Sequence, residues 1–116
     1  MSKNIYIKKM IEDLKKVSYA QKVNIWRRIA DDLEKPTRTR RIVNLFKLNI
    51  YTKDGETVIV PGKVLGTGDL NHKVTIAAWT FSESAKEKIK QAKGECLSIP
   101  QLIEKNPKGK DVRIIG

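Results

Sequence analysis

Val74-Thr75-Ile76-Ala77-Ala78-Trp79-Thr80-Phe81 contains only apolar residues and threonine, the composition of a strand buried within a sheet. The period changes directly after it. Ser82 and Ser84 compete as helix N-caps, Glu87 sits three residues after Ser84, and residues 86–93 read as a helix stopped by a left-handed Gly94. Cys96-Leu97-Ser98 reads as another short strand. Ser98 and Pro100 then open a short helix that Asn106-Pro107 ends, and Val112-Arg113-Ile114-Ile115 closes the chain as a strand.

Upstream the same alternation continues. Residues 42–45 read as a short strand, 46–51 as a short helix, Asp54-Gly55 as a turn and Thr57-Val58-Ile59-Val60 as a buried strand. Pro61 to Gly68 reads as a glycine-spaced connection. Before residue 42 the texture is helical. Ile7, Met10, Ile11, Leu14 and Val17 recur at three- and four-residue steps over residues 5–17. Ser18 then offers an N-cap, with Gln21 at the capping-box position, to a second helix carrying Val23, Trp26, Ala30 and Leu33 on one side. Pro36 stops that helix. The expected fold class is α/β, with N-terminal helices ahead of a body of short strands and helices.

At 116 residues the chain has the size of one domain. It divides into a helical leader (1–34), a basic connector (35–41) and an α/β body (42–116). Hydrophobic residues at 40% and charged residues at 32% exclude both a disordered tail and a membrane protein. No apolar run nears the ~18 residues that span a bilayer, and the first residues lack the apolar stretch of a secretory signal. The lone Cys96 fits a reducing compartment.

Twenty-four Lys+Arg against 13 Asp+Glu leave a formal charge of +11, a self-repulsion that a polyanionic partner would relieve. RNA, DNA and an anionic membrane surface all qualify, and the distribution narrows the choice. Five of the six arginines fall between residues 27 and 41, and Lys35-Pro36-Thr37-Arg38-Thr39-Arg40-Arg41 holds four cations and no acid. Arginine's planar fork grips phosphate oxygens in pairs, and the interleaved threonines add hydroxyl donors. A solvated, charge-rich loop is the alternative for this segment alone; with the global charge added, nucleic acid is favoured.

Catalytic equipment is scarce. A phosphate loop needs Gly, four residues, then Gly-Lys-Ser/Thr, but Gly62-Lys63 is followed by Val64 and no glycine sits at the upstream position. Gly66-Thr67-Gly68 lacks the third glycine of a dinucleotide fingerprint. Lys63 is either an exposed lysine on a structural turn or a phosphate contact. One histidine, His72, and one cysteine fall short of a zinc site. His72 reads as a solvated or RNA-facing ring in a surface loop, and Cys96 as a small core residue. The pairs Glu12-Asp13 and Asp31-Asp32 point about 100° apart on helices and do not converge. No catalytic residue, metal or cofactor is expected, although a small nucleotide-binding enzyme using the glycine segment remains the rival from another class. Trp26 and Trp79 read as core. That leaves no stacking platform evident in the sequence and points to folded RNA read by shape and phosphate. DNA is the weaker partner, since no recognition helix with base-reading side chains is evident.

The basic connector followed by Val43-Asn44-Leu45 resembles the start of the body of the archaeal and eukaryotic large-subunit ribosomal protein eighteen-e family. Val58-Ile59-Val60-Pro61-Gly62-Lys63-Val64-Leu65-Gly66-Thr67-Gly68 is the more specific match, and Ala77-Ala78 with Phe81-Ser82, Ser84-Ala85 and Lys88-Ile89 continue it in register. The resemblance runs from the first helix to the terminal strand. It implies the body fold of bacterial large-subunit protein fifteen, an irregular superhelix of strand-strand-helix units. It also implies a structural, non-enzymatic role in the cytoplasmic large ribosomal subunit, with ribosomal RNA and neighbouring ribosomal proteins as partners and neither membrane association nor a homo-oligomer. RNA contact is carried by the resemblance onto Lys35, Arg38, Arg40, Arg41, Lys63 and Thr67. Charge and loop position add Arg27, Arg28, His72 and Lys73. A non-ribosomal RNA-binding module or ribosome assembly factor is the alternative.

Overall fold

The structure, a computed structural model, describes residues 2–34 and 41–115. Two helices, α1 (Ser2–Gln21) and α2 (Ile25–Glu34), precede β1 (Arg41–Asn44), α3 (Leu45–Tyr51), β2 (Glu56–Leu65), β3 (Val74–Phe81), α4 (Glu83–Gln91), β4 (Glu95–Ser98), α5 (Ile99–Lys105) and β5 (Val112–Ile114). This is the expected α/β class. The five strands form one sheet of order β1-β2-β3-β4, with β5 also on β2, and every pairing is parallel. β5 pairs with Thr57–Ile59 and β1 with Gly62–Leu65, so the two short strands lie end to end along one edge of β2 while β3 takes the other.

The reading of residues 61–68 as a connection needs correction, because β2 continues to Leu65. The β2–β3 register shifts between Val60 and Lys63, at Pro61, which has no N–H to donate. Beyond that irregularity β1 supplies the ladder, and Val64 is fully buried.

The sheet separates two cores. Val58, Val60, Val64 and Ile76 face one, with Leu45 and Leu48 of α3 and Ala85 and Ile89 of α4. Ile59, Ala77 and Leu97 face the other, with Ile11 and Leu14 of α1, Trp26, Ile29 and Leu33 of α2, and Ile99 and Leu102 of α5. Alternation along β2 therefore builds three layers, α1/α2/α5, sheet, and α3/α4. Trp26, expected as core, is fully buried and donates Nε1–H to Pro107 O at 2.6 Å.

Two helix ends differ from expectation. Ser18 is not the N-cap of a second helix, and Gln21 completes no capping box. α1 runs past both, Ser18 Oγ donates to Val23 O, and Val23 N donates to Ser18 O at 3.1 Å. Lys22, at φ +57, makes the turn. At the end of α4 the left-handed residue is Lys93, φ +63, rather than Gly94. Lys93 N donates to Lys90 O and Gly94 N to Ile89 O, both at 2.9 Å, the bond pair of a Schellman stop. Gly94 is needed for space instead, since a Cβ there would lie 2.4 Å from Val74 O. Of the competing caps, Ser82 prevails, accepting from Ala85 N at 3.2 Å. Ser98 and Gln101 form a reciprocal capping box on α5, with Pro100 in the first turn.

Candidate nucleic-acid interface

The connection from β2 to β3 decides the shape of the candidate site. Parallel strands are ordinarily joined by a crossover of a dozen or more residues, usually through a helix. Here residues 66–73 make the return without one. Glu56 pairs with Val74 and Val64 with Phe81, so the segment retraces about 26 Å of strand. The nine steps from Leu65 to Val74 reach at most about 30–32 Å. The segment has little slack, and side-chain and backbone bonds strap it along α3 and the turn that follows.

Phe46 N donates to Thr67 O at 3.0 Å, Asn71 N to Asn49 Oδ1 at 2.8 Å, Lys73 N to Asp54 Oδ1 at 3.1 Å and Gly55 N to Lys73 O at 2.7 Å. His72 Nε2 lies 2.8 Å from Thr52 Oγ1. The Thr52 hydroxyl spends its proton on Leu48 O at 2.6 Å, so His72 Nε2–H is the donor in that pair. Gly68 has φ +92, and a Cβ there would stand 2.7 Å from Phe46 N and Cβ; only glycine takes that conformation at that distance. On the far side of the segment, Lys88 Nζ donates to Gly66 O and to Gly68 O, both at 2.8 Å. The three carbonyls of residues 66–68 are thus turned into the protein.

Among the residues named from the sequence, Lys63, Thr67 and Lys73 are exposed and His72 is half-buried. All four lie on β2 and this strap. Arg41 joins them at the level of the backbone, paired with Gly62, so the basic connector enters the sheet next to Lys63. Lys35, Arg38 and Arg40 lie outside the described residues. Arg27 and Arg28 are not brought to this face. They sit on α2, across the sheet from α3. Arg27 Nε is 3.4 Å from Asp31 Oδ1 in an exposed pair, and Arg28 rims a shallow hollow with Lys108 and Arg113.

Two features escaped the sequence reading. Lys88 looks like one more surface cation on a charged helix but serves as an internal donor. Phe46 and Ile50 stand exposed on α3, because Leu45 and Leu48 fill its inward side. Their four-residue spacing was the available signal, but a short helix with apolar residues all round does not say which face is wet. Trp79 is partly buried against the second core and Phe81 against the first. Cys96 packs against the first core, and burial pushes its thiol pKa up, with Lys86 opposing and Glu95 adding to the shift. It is a poor thiolate.

Comparison with known proteins gives consistent matches. The family of ribosomal proteins described as 50S-L15 and 50S-L18e, together with their 60S counterpart, matches residues 21–97. The chain is 55% identical over 102 residues to the large ribosomal subunit protein eL18 of Methanoregula boonei, covering 88% of this chain and 84% of the relative. To the eL18 of Methanothermobacter thermautotrophicus it is 46% identical, covering 92% and 88%. To that of Sulfurisphaera tokodaii it is 45% identical, covering 98% and 93%.

Proposed function

The chain belongs to the family that groups ribosomal proteins 50S-L15 and 50S-L18e with their 60S counterpart, and from that premise we propose that it is a structural, non-enzymatic constituent of the cytoplasmic large ribosomal subunit that braces folded ribosomal RNA. The observation that carries the RNA reading is the strapped segment 66–73. It presents Thr67 near the end of β2 where Lys63 and the basic connector meet β1, and Lys73 at the opposite end, from a taut backbone. A rigid backbone that holds cations in place loses little entropy on meeting phosphate. Each phosphate neutralised also releases condensed counterions.

Bracing requires more than one face. Arg27 and Arg28, with Lys22 and Lys108, lie on the α2 side of the sheet, and Lys63, next to the inward Val64, points to that same side of β2, while Thr67, His72 and Lys73 lie on the strap that runs along α3. Cations on both faces of the sheet lower the repulsion between two RNA segments and hold them at a set separation. Residues 1–116 act as one unit in this reading, the helical leader being packed onto the body through the second core.

The test is binding to deproteinised large-subunit rRNA across a KCl series. Changing Arg38, Arg40 and Arg41 together to Gln is expected to weaken binding and to flatten the slope of log affinity against log salt by roughly two to three. An unchanged slope would remove the connector from the interface. On gradients the protein is expected to travel with mature large subunits at high salt; presence only in precursor particles would make it an assembly factor.

A further inference from the structure

We propose that the outer face of α3 is a stacking site for an unpaired RNA base, with the Phe46 ring as the platform. This rests on the RNA-binding reading above and extends it from phosphate contact to base contact. Among the described residues the large apolar side chains left exposed are Tyr19, Ile42, Phe46, Ile50 and Tyr51, and all but Tyr19 fall within residues 42–51. Phe46 is 61% exposed and Ile50, one helical turn on, 57%. The backbone under the ring is pinned by the strap at two adjacent points, the bond to Thr67 O at 3.0 Å and the close approach of Gly68. The ring is therefore presented from a fixed base.

Area and charge decide between a base and a protein as occupant. Phe46, 61% exposed, leaves roughly 100–150 Å² for contact, enough to cover one base. A stable protein interface needs about 800 Å² from each partner, which a seven-residue helix flanked by lysines does not offer. α3 itself carries Lys47, Lys53 follows it, and Lys73 closes the strap at the turn after α3, against Asp54 and Asp69. Asp54 already accepts from Lys73 N. A base stacked on Phe46 would bring its own phosphates toward the positive field of Lys47 on the same helix.

The experiment compares Phe46→Ala, Phe46→Leu and Phe46→Trp with wild type for binding to deproteinised large-subunit rRNA at several KCl concentrations, with thermal melting as the folding control. Stacking requires a π face, so Ala and Leu are both expected to weaken binding by about 5- to 150-fold, with the salt slope unchanged. Trp is expected to bind like wild type or better, and all three are expected to melt with it because the ring is exposed. Full binding by Phe46→Leu would replace stacking with simple apolar contact and overturn the proposal. So would normal binding of Phe46→Ala to naked rRNA combined with loss from assembled subunits, which would assign the face to a neighbouring protein. If wild-type protein itself fails to bind, the RNA reading falls and this proposal with it. If wild type binds and Phe46→Ala binds equally, only the stacking site falls.

Discussion

Lys88 carries one of the 24 basic side chains, yet its ammonium is turned toward the backbone, 2.8 Å from Gly66 O and from Gly68 O. Asp69, 4.0 Å away and largely exposed, is too distant and too wet to hold it there. Its function is to fix the shape of the strap. Lys63 is exposed and has no such internal duty. The two lysines should therefore part company in the same assay. Lys63→Gln is expected to lower the salt slope of rRNA binding by roughly 0.7–0.9, the signature of one lost phosphate contact. Lys88→Met is expected to cost about 0.5–1.5 kcal/mol of stability and to weaken binding through a loosened strap, with the slope preserved. A Lys88→Met protein that melts normally but loses a slope unit would make Lys88 a phosphate ligand. Gly66 adds a constraint of the same kind, for a Cβ there would lie 2.1 Å from Ser84 Oγ. It is crowding rather than left-handed geometry that keeps glycine at this position.

At the scale of elements, helix stops separate what local pattern can specify from what it cannot. Lys22 and Lys93 both occupy left-handed backbone, φ +57 and +63, where an L side chain is strained. Lys93→Gly is expected to stabilise the protein by about 0.5–1 kcal/mol, glycine's greater freedom in the unfolded chain offsetting part of the relief. The measurement is a thermal melt, in which an unchanged or lower midpoint would show that Lys93 is held without strain. Neither stop is legible in the sequence, because Gly94 advertises itself as the left-handed residue while its lack of a side chain is needed against Val74 O. Ser18 misleads similarly. Its spacing to Gln21 fits a capping box, but the α1 stripe through Leu14 continues to pack beyond it. Elements with a purely local cause are legible: β3 from its unbroken apolar run, and α5 from Ser98, Pro100 and Gln101. The parallel pairing and the shared edge of β2 depend on contacts between residues as far apart as Ile59 and Ile114, which no window of sequence contains. The same limit applies to the site. Lys63, Thr67 and Lys73 could be named from sequence, whereas the strap that holds them depends on partners in α3 and α4.

For the whole molecule, one charge imbalance acts in two opposite directions. Eleven excess positive charges on a slab of 36 × 31 × 18 Å repel one another in the folded state, and unfolding lets them separate. Ion pairs such as Lys15–Glu34 and Lys105–Glu95 are about half exposed and offset little of this, with the Arg113–Glu56 pair the more sheltered. Salt screens the repulsion, since the Debye length falls from about 30 Å at 0.01 M to about 10 Å at 0.1 M, from about the width of the molecule to well under it. The free protein is therefore expected to become more stable as KCl rises over that range, by on the order of 1 kcal/mol or about 4–6 °C in the melting midpoint. RNA affinity over the same range should fall steeply, because there the screened interaction is attraction. Melting and binding measured in one set of KCl buffers check both signs at once. A midpoint that fell with salt would mean that the ion pairs outweigh the self-repulsion. The free protein would then have no electrostatic reason of its own to seek a polyanion, and its RNA binding would have to rest on the geometry of the strap and of α3.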